Sequence, residues 1–376
     1  MTIYEKVKSR SVARLVKKDL FDKFVLARVD FNVPIINGKV TDATRVEATQ
    51  KTIGHLQKNG AKVILLSHLG DEGESLEPVA DLLGISLIPS LKTLGEYEKS
   101  MDPGEVVLLE NIRLEVGEKE NEKELAACLA GLADIYVNEA FSASHRKHSS
   151  IVGLPKFLPS YFGFSFLSEV ENLSKAFEPK HPFTFILGGV KMSTKLPLIK
   201  KFLPVTDAIM LGGGSANSVL KAGGLKIGKS VAEEAEGLKA LAKNKKVLLP
   251  IDGVVTDGKN KRTTIIDGVK TNEGVVDVGP ETMKKWGEII KLSKMVLWNG
   301  PLGNTTEGFS ASTKAMAKMI AESKAFSILG GGDTLEALTA AKLNKKDFSY
   351  ISTAGGAMLE FLAKGSLVGI EAVVKK

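Results

Sequence analysis

Ten short apolar, β-branched runs alternate with amphipathic stretches along almost the whole chain. The runs are Val25–Val29, Val63–Leu66, Val106–Leu109, Ile135–Val137, Phe183–Leu187, Ala208–Leu211, Val247–Ile251, Met295–Trp298, Phe326–Leu329 and Tyr350–Ser352. Stretches such as "ATRVEATQKTIGHLQKNG" and "ETMKKWGEIIKLSK" carry apolar residues at helical spacing. Strands that are apolar on both faces and separated by helices imply an α/β fold with mainly parallel sheets. Ten strands are many for one sheet, so two sheets in two domains are expected, as 376 residues also imply. A boundary falls in 155–182, where "GLPKFLPSYFG" and "EPKHP" flank one amphipathic helix, a candidate hinge.

Composition excludes several classes. The single cysteine, Cys128, rules out an intramolecular disulfide framework. No apolar run reaches membrane-spanning length, and the first twenty residues lack the apolar core of a secretory signal. A cytoplasmic protein is expected. The net charge of +7 permits polyanion binding, but the lysines are scattered rather than gathered in a stripe, so no nucleic-acid partner is expected.

In the second half, "FILGGVK", "IMLGGGSAN", "SILGGGDT" and "ISTAGGAM" each read as strand, glycine turn and helix start. Such turns converge on the carboxyl edge of a parallel sheet, where backbone N–H groups and helix N-termini receive phosphates. Glycine also closes such turns for steric reasons alone. "GGLKIGKS" matches the P-loop expression through Gly223, Gly228, Lys229 and Ser230. A P-loop must follow a strand and open a helix. This one follows a helix that ends on glycine, and the next helix, within "VAEEAEGLKALAKN", begins late and with acids, so the match is declined.

In the first half, strand ends carry polar and cationic groups: Asp30 and Asn32, His68, Asn111 and Arg113, then Asn138, Glu139, His145, Arg146 and His148. Arg45 stands in the first turns of a helix capped by Thr41 or Asp42. Several arginines at one sheet edge suit carboxylate and phosphate recognition. His145 and His148 have a metal-like spacing, but Arg146 and Lys147 between them would repel a cation.

The ordered series "RVDFNVP", "TDATR", "SHLG", "LLENIR", "FILGGVKMSTK", "IMLGGG", "VLWNGPLG", "ILGGGDT" and "ISTAGGAMLEFL" resembles the motifs of the phosphoglycerate kinase family, from about residue 10 onward. The resemblance implies two Rossmann-like domains joined by a hinge helix: residues 1–163, a connecting helix 164–178, then 179–362, with a tail from about 363 returning to the first domain. It implies a monomer that transfers a phosphoryl group reversibly between 1,3-bisphosphoglycerate and MgADP, giving 3-phosphoglycerate and MgATP. Asp30, Asn32, Arg45, His68, Arg113 and Arg146 match the family's phosphoglycerate positions. Gly189, Lys191, Lys195, Gly213, Gly214, Asn299, Gly331, Gly332, Asp333, Thr334, Gly355 and Gly356 match the nucleotide crevice, with Asp333 the aspartate of the Mg2+ nucleotide. Arg45, Lys191 and Lys195 are the implied catalytic cations, and the two lysines share a helix face if the helix has begun at Lys191. A non-catalytic relative that binds nucleotide or phosphoglycerate, and less plainly a P-loop hydrolase using Lys229, are the alternatives.

The series also departs from the family pattern. Asp71 stands where an arginine follows "SHLG", and the loop after it is short. Because the remaining basic edge is intact, Asp71 is expected to turn outward. The ribose contact after "WNGPLG" cannot be assigned to Thr305 or Glu307. Ala354 replaces the first glycine of a triplet, which requires a negative φ there.

Overall fold

The computed structural model describes residues 1–71 and 73–375, and the side chain of Asp333 falls outside that description. The chain divides into two compact units, Met1–Ser174 with Lys364–Lys376, and Lys175–Ala363.

The first unit contains β1 (Phe24–Arg28), a small hairpin of β2 (Ile35–Ile36) and β3 (Lys39–Val40), β4 (Lys62–Leu66), β5 (Ser86–Ile88), β6 (Val106–Leu109), β7 (Ile135–Asn138) and β8 (Ser160–Phe162). Six of these form one parallel sheet in the order β5-β6-β4-β1-β7-β8. Helices on both faces bury it, with Val25, Ala27, Val63 and Leu65 facing one core and Leu26, Ile64, Leu66 and Tyr136 the other. The helix Val368–Val374 joins this unit, where Gly369 N–H donates to Ser144 O at 2.9 Å.

The second unit contains β9 (Phe183–Leu187), β10 (Ala208–Leu211), β11 (Val247–Leu248), β12 (Asp252–Thr256), β13 (Lys261–Ile265), β14 (Gly274–Val278), β15 (Met295–Asn299), β16 (Phe326–Gly330) and β17 (Tyr350–Ser352). Its main sheet is parallel, in the order β11-β10-β9-β15-β16-β17. Counted by position among its own strands this is 3-2-1-4-5-6, and the chain reverses its direction of winding between β9 and β15. The corresponding reversal in the first sheet lies between β1 and β7. Parallel sheets bind ligands in the crevice at such a switch point.

Four expectations need correction. The run Val247–Ile251 is a strand only to Leu248; the chain then bends into β12, which leaves the main sheet for a three-stranded antiparallel one with β13 and β14. The stretch "VAEEAEGLKALAKN" is helical only over Leu238–Ala242. The segment 164–178 is helical over Phe164–Ser174, within the first unit. Finally, Ala43 rather than Thr41 or Asp42 is the cap residue of the helix Thr44–Lys58, although the Asp42 carboxylate does accept Thr44 N–H at 2.9 Å.

Candidate active site

Along the carboxyl edge of the first sheet, β6, β4, β1 and β7 lead in turn to Arg113, His68, Asp30 and the 138–148 segment. Arg45 reaches this edge from the second position of its helix. Its Nη1 lies 3.0 Å from Asp30 Oδ2 and donates to Asn32 O at 2.9 Å. Asp30 Oδ2 also accepts from Ser142 Oγ. Asn32 Oδ1 accepts Gly70 N–H at 3.1 Å, which ties the loop after β4 to the loop after β1. Arg146 is half-buried beside His145, with Nε 3.5 Å from its Nε2.

Beneath these groups lies a network that the strand-end pattern did not single out. Arg28, the last residue of β1, is buried; its Nε donates to Ser150 Oγ at 2.9 Å and its Nη2 lies 3.1 Å from His68 Nδ1. Ser150 in turn donates to the buried Glu118 through Oγ at 2.6 Å and through N–H at 2.9 Å. Burial, then the Arg28 charge, pushes His68 down to about 2. Burial raises Glu118 while Arg28 opposes the rise. A charged residue inside the run "VLARVDF" was the available signal for Arg28; Glu118, in an irregular loop, gave none.

Asp71 does not turn away from this edge. Its exposed carboxylate accepts from Arg113 Nη1, which also donates to Gly70 O. The shortened loop places Gly70 and Asp71 directly against a guanidinium that is itself buried.

On the carboxyl edge of the second sheet, the helix Met192–Phe202 begins after Lys191, which is its cap residue and exposed. The two lysines therefore do not share a helix face. Lys195, in the first turns, is buried, and its Nζ donates to Asn299 Oδ1 at the end of β15. Asn299 Nδ2 donates to Gly330 O at 3.0 Å, so one amide ties Lys195 to β16. Thr334 Oγ1 accepts Gly300 N–H at 3.0 Å. These groups flank the β9–β15 switch point.

Space around the glycines separates the two readings of the turns. A Cβ on Gly188 would lie 2.0 Å from Pro301 O, and one on Gly214 3.0 Å from Val190 Cα, so these glycines let neighbouring turns pack. Gly189, Gly332, Gly355 and Gly356 face open space instead, which leaves room for a ligand. A Cβ on Gly213 would lie 3.2 Å from Gly189 N, and one on Gly331 3.3 Å from Asn299 Nδ2. Ala354 lies outside the left-handed region that Gly355 occupies at φ +54°, meeting the condition its sequence set.

Gly223 caps the helix Gly213–Ala222, and Lys229 N–H donates to Glu273 O at 2.7 Å. With neither a strand before it nor a helix opening after it, "GGLKIGKS" is not a phosphate loop. Among the described residues no group of three or more His, Cys, Asp or Glu side chains could hold a metal ion, and no helix is long and apolar enough to cross a membrane.

Two doubly wound units, one edged with arginines and the other with glycine turns around a buried lysine, define an α/β phosphotransferase. The family model for phosphoglycerate kinase matches residues 15–365. The phosphoglycerate kinase of Pseudothermotoga lettingae is 42% identical, over 95% of this chain and 97% of its own length. That of Maricaulis maris is 40% identical, over 96% and 98%. The solved phosphoglycerate kinase of Coxiella burnetii superposes with a TM-score of 0.86 at 39% identity, covering 97% of this chain and 98% of that one. The Pyrococcus horikoshii enzyme gives a TM-score of 0.83 at 28% identity, covering 96% and 98%. The chain belongs to the phosphoglycerate kinase family.

Proposed function

We propose that the chain transfers a phosphoryl group reversibly between 1,3-bisphosphoglycerate and MgADP, giving 3-phosphoglycerate and MgATP. The observation that carries this reading is Lys195, a buried ammonium that donates to the Asn299 amide oxygen at the switch point of the second sheet. A desolvated, positioned cation is what a transferring phosphoryl group requires. In the ATP-consuming direction the nucleophile is a carboxylate, ionised at neutral pH without a general base. Lys195 and Arg45 stabilise the developing charge. Asp30, Asn32, His68, Arg113 and Arg146 hold the phosphoglycerate, with Asp30 orienting Arg45. Lys191, Gly189, Gly332, Gly355 and Gly356 line the nucleotide's phosphates, and Thr334 and Asn299 brace the turns beneath them.

Magnesium would arrive on the nucleotide phosphates, beside Asp333 at the second position of the helix Gly332–Ala340. The lack of a multi-carboxylate cage among the described residues fits a metal held mainly by substrate. When bound, it neutralises phosphate charge. Phosphoglycerate and nucleotide residues belong to different units, so transfer requires closure that excludes water. Solution scattering unchanged by both substrates together would contradict this. On the same reading the protein is a cytoplasmic monomer.

The test is 3-phosphoglycerate plus MgATP, coupled to reduction of the acyl phosphate. Turnover abolished by Lys195→Ala but not by Lys229→Ala supports the proposal. Nucleotide binding without turnover would favour a non-catalytic relative, a reading that the Asp71–Arg113 contact alone favours.

A further inference from the structure

We propose that Asp71 is an internal competitor at the phosphoglycerate edge: a carboxylate that holds Arg113 until a substrate phosphate displaces it. This rests on the reading of that edge given above. The pair is asymmetric. The Arg113 side chain is 5% exposed and that of Asp71 82%. Arg113 Nε is buried with no hydrogen-bond partner, while Nη1 is shared by Asp71 Oδ1 and Gly70 O. The guanidinium is thus fixed and incompletely satisfied, and the carboxylate approaches it from water.

Backbone placement, rather than the Asp71 rotamer alone, brings the two together. Gly70 N–H donates to Asn32 Oδ1 at 3.1 Å. Asn111 Nδ2 donates to Leu69 O at 2.6 Å and to Glu74 O at 2.9 Å. Lys119 Nζ donates to Asp71 O at 3.1 Å. The loop therefore stays while the side chain rotates away.

An exposed carboxylate gains little from its partner, because water solvates it equally well. A phosphate dianion brings more charge and three oxygens to the same fork. It displaces Asp71, at the cost of opening the pair, whereas a ligand without a phosphate leaves the pair closed. Asp71 thereby weakens the binding of ligands that need Arg113 and has little effect on ligands that do not reach it.

The experiment is calorimetric titration of 3-phosphoglycerate and of glycerate into wild type, Asp71→Asn, Arg113→Ala and the double variant, with steady-state kinetics alongside. Asp71→Asn is expected to tighten 3-phosphoglycerate about threefold to tenfold and glycerate by a smaller factor, with the kinetic change in the phosphoglycerate KM rather than the MgATP KM. The gain must disappear on the Arg113→Ala background. Unchanged or weaker binding in Asp71→Asn, an equal or larger factor for glycerate, or an equal gain without Arg113 overturns the inference. If wild type binds but does not turn over, the kinase reading fails and the binding comparison still decides the role of Asp71. If none of the four proteins binds 3-phosphoglycerate, both readings fail.

Discussion

Arg28 Nη2 lies 3.1 Å from His68 Nδ1, with both side chains buried. A guanidinium has five donors and no acceptor, so Nδ1 accepts and the His68 proton resides on Nε2. His68 is a neutral hydrogen-bond donor at the arginine-lined edge, neither a cation nor a general base.

The prediction is direct. In 15N-edited spectra His68 should show the Nε2–H tautomer without change from about pH 5 to about pH 8. Its folded value of about 2 lies below the ordinary 6.5, so only the unfolded chain takes up this proton. His68 therefore contributes stability above about pH 6.5 that is lost as pH falls toward the folded value. Arg28→Met should move the titration upward. A wild-type His68 resonance titrating near pH 6 would exclude the arrangement.

Glu118 balances Arg28 through Ser150, which accepts from the guanidinium and donates to the carboxylate. Removing one member of a buried charge network leaves the other uncompensated. Glu118→Ala should cost about 3–5 kcal/mol in urea unfolding, and Glu118→Gln less. A loss below about 1 kcal/mol for Glu118→Ala would mean that Arg28 does not depend on it.

Much of the fold was legible because parallel strands buried on both faces read as unbroken apolar runs. Phe183–Leu187 and Ala208–Leu211 match β9 and β10 residue for residue. Among the strands that escaped, β5 and β8 are three residues at sheet edges, and β13, "KRTTI", is largely exposed. Helix-forming composition in Val231–Glu236 did not produce a helix, since none of these residues is buried to hold one. Candidate positions such as Asp30, His68 and Arg113 were legible because each follows a strand. Which donors are already engaged was not: the Arg113–Asp71 and Lys195–Asn299 pairs join residues 42 and 104 positions apart. No local pattern encodes such pairings.

Lys195 should be the most costly single loss from the edge proposed to hold the nucleotide. Lys195→Met keeps much of the buried stem but removes the ammonium, and kcat should fall about a hundredfold to a thousandfold. Phosphoglycerate affinity should be unchanged, because that edge belongs to the other sheet. Asn299→Ala leaves the charge but frees its position, so a smaller loss is expected. Equal losses in the two variants would show that the amide, not the ammonium, carries the effect.

Glu139, at the carboxyl end of β7, proves to be a support for the helix Phe164–Ser174 rather than an anion-site residue. Its Oε1 accepts from Thr52 Oγ1 at 2.6 Å and Ser165 N–H at 3.0 Å, and its Oε2 from Phe166 N–H at 3.0 Å. A Cβ on Gly163 would lie 2.1 Å from Oε2, so the carboxylate occupies the space that glycine leaves. Burial pushes Glu139 up to about 7 against the pull of these three donors. The native state therefore binds a proton that the unfolded chain has released. Glu139 contributes stability that is complete below its ordinary 4.5 and is lost as pH rises through about 7. Between about pH 5 and about pH 8 the wild-type urea midpoint should fall relative to that of Glu139→Gln, a comparison in which the opposite contribution of His68 cancels. The glutamine variant should also start lower, since its amide nitrogen cannot accept from the helix N–H groups. A slope equal to wild type in Glu139→Gln would assign the pH dependence to another group.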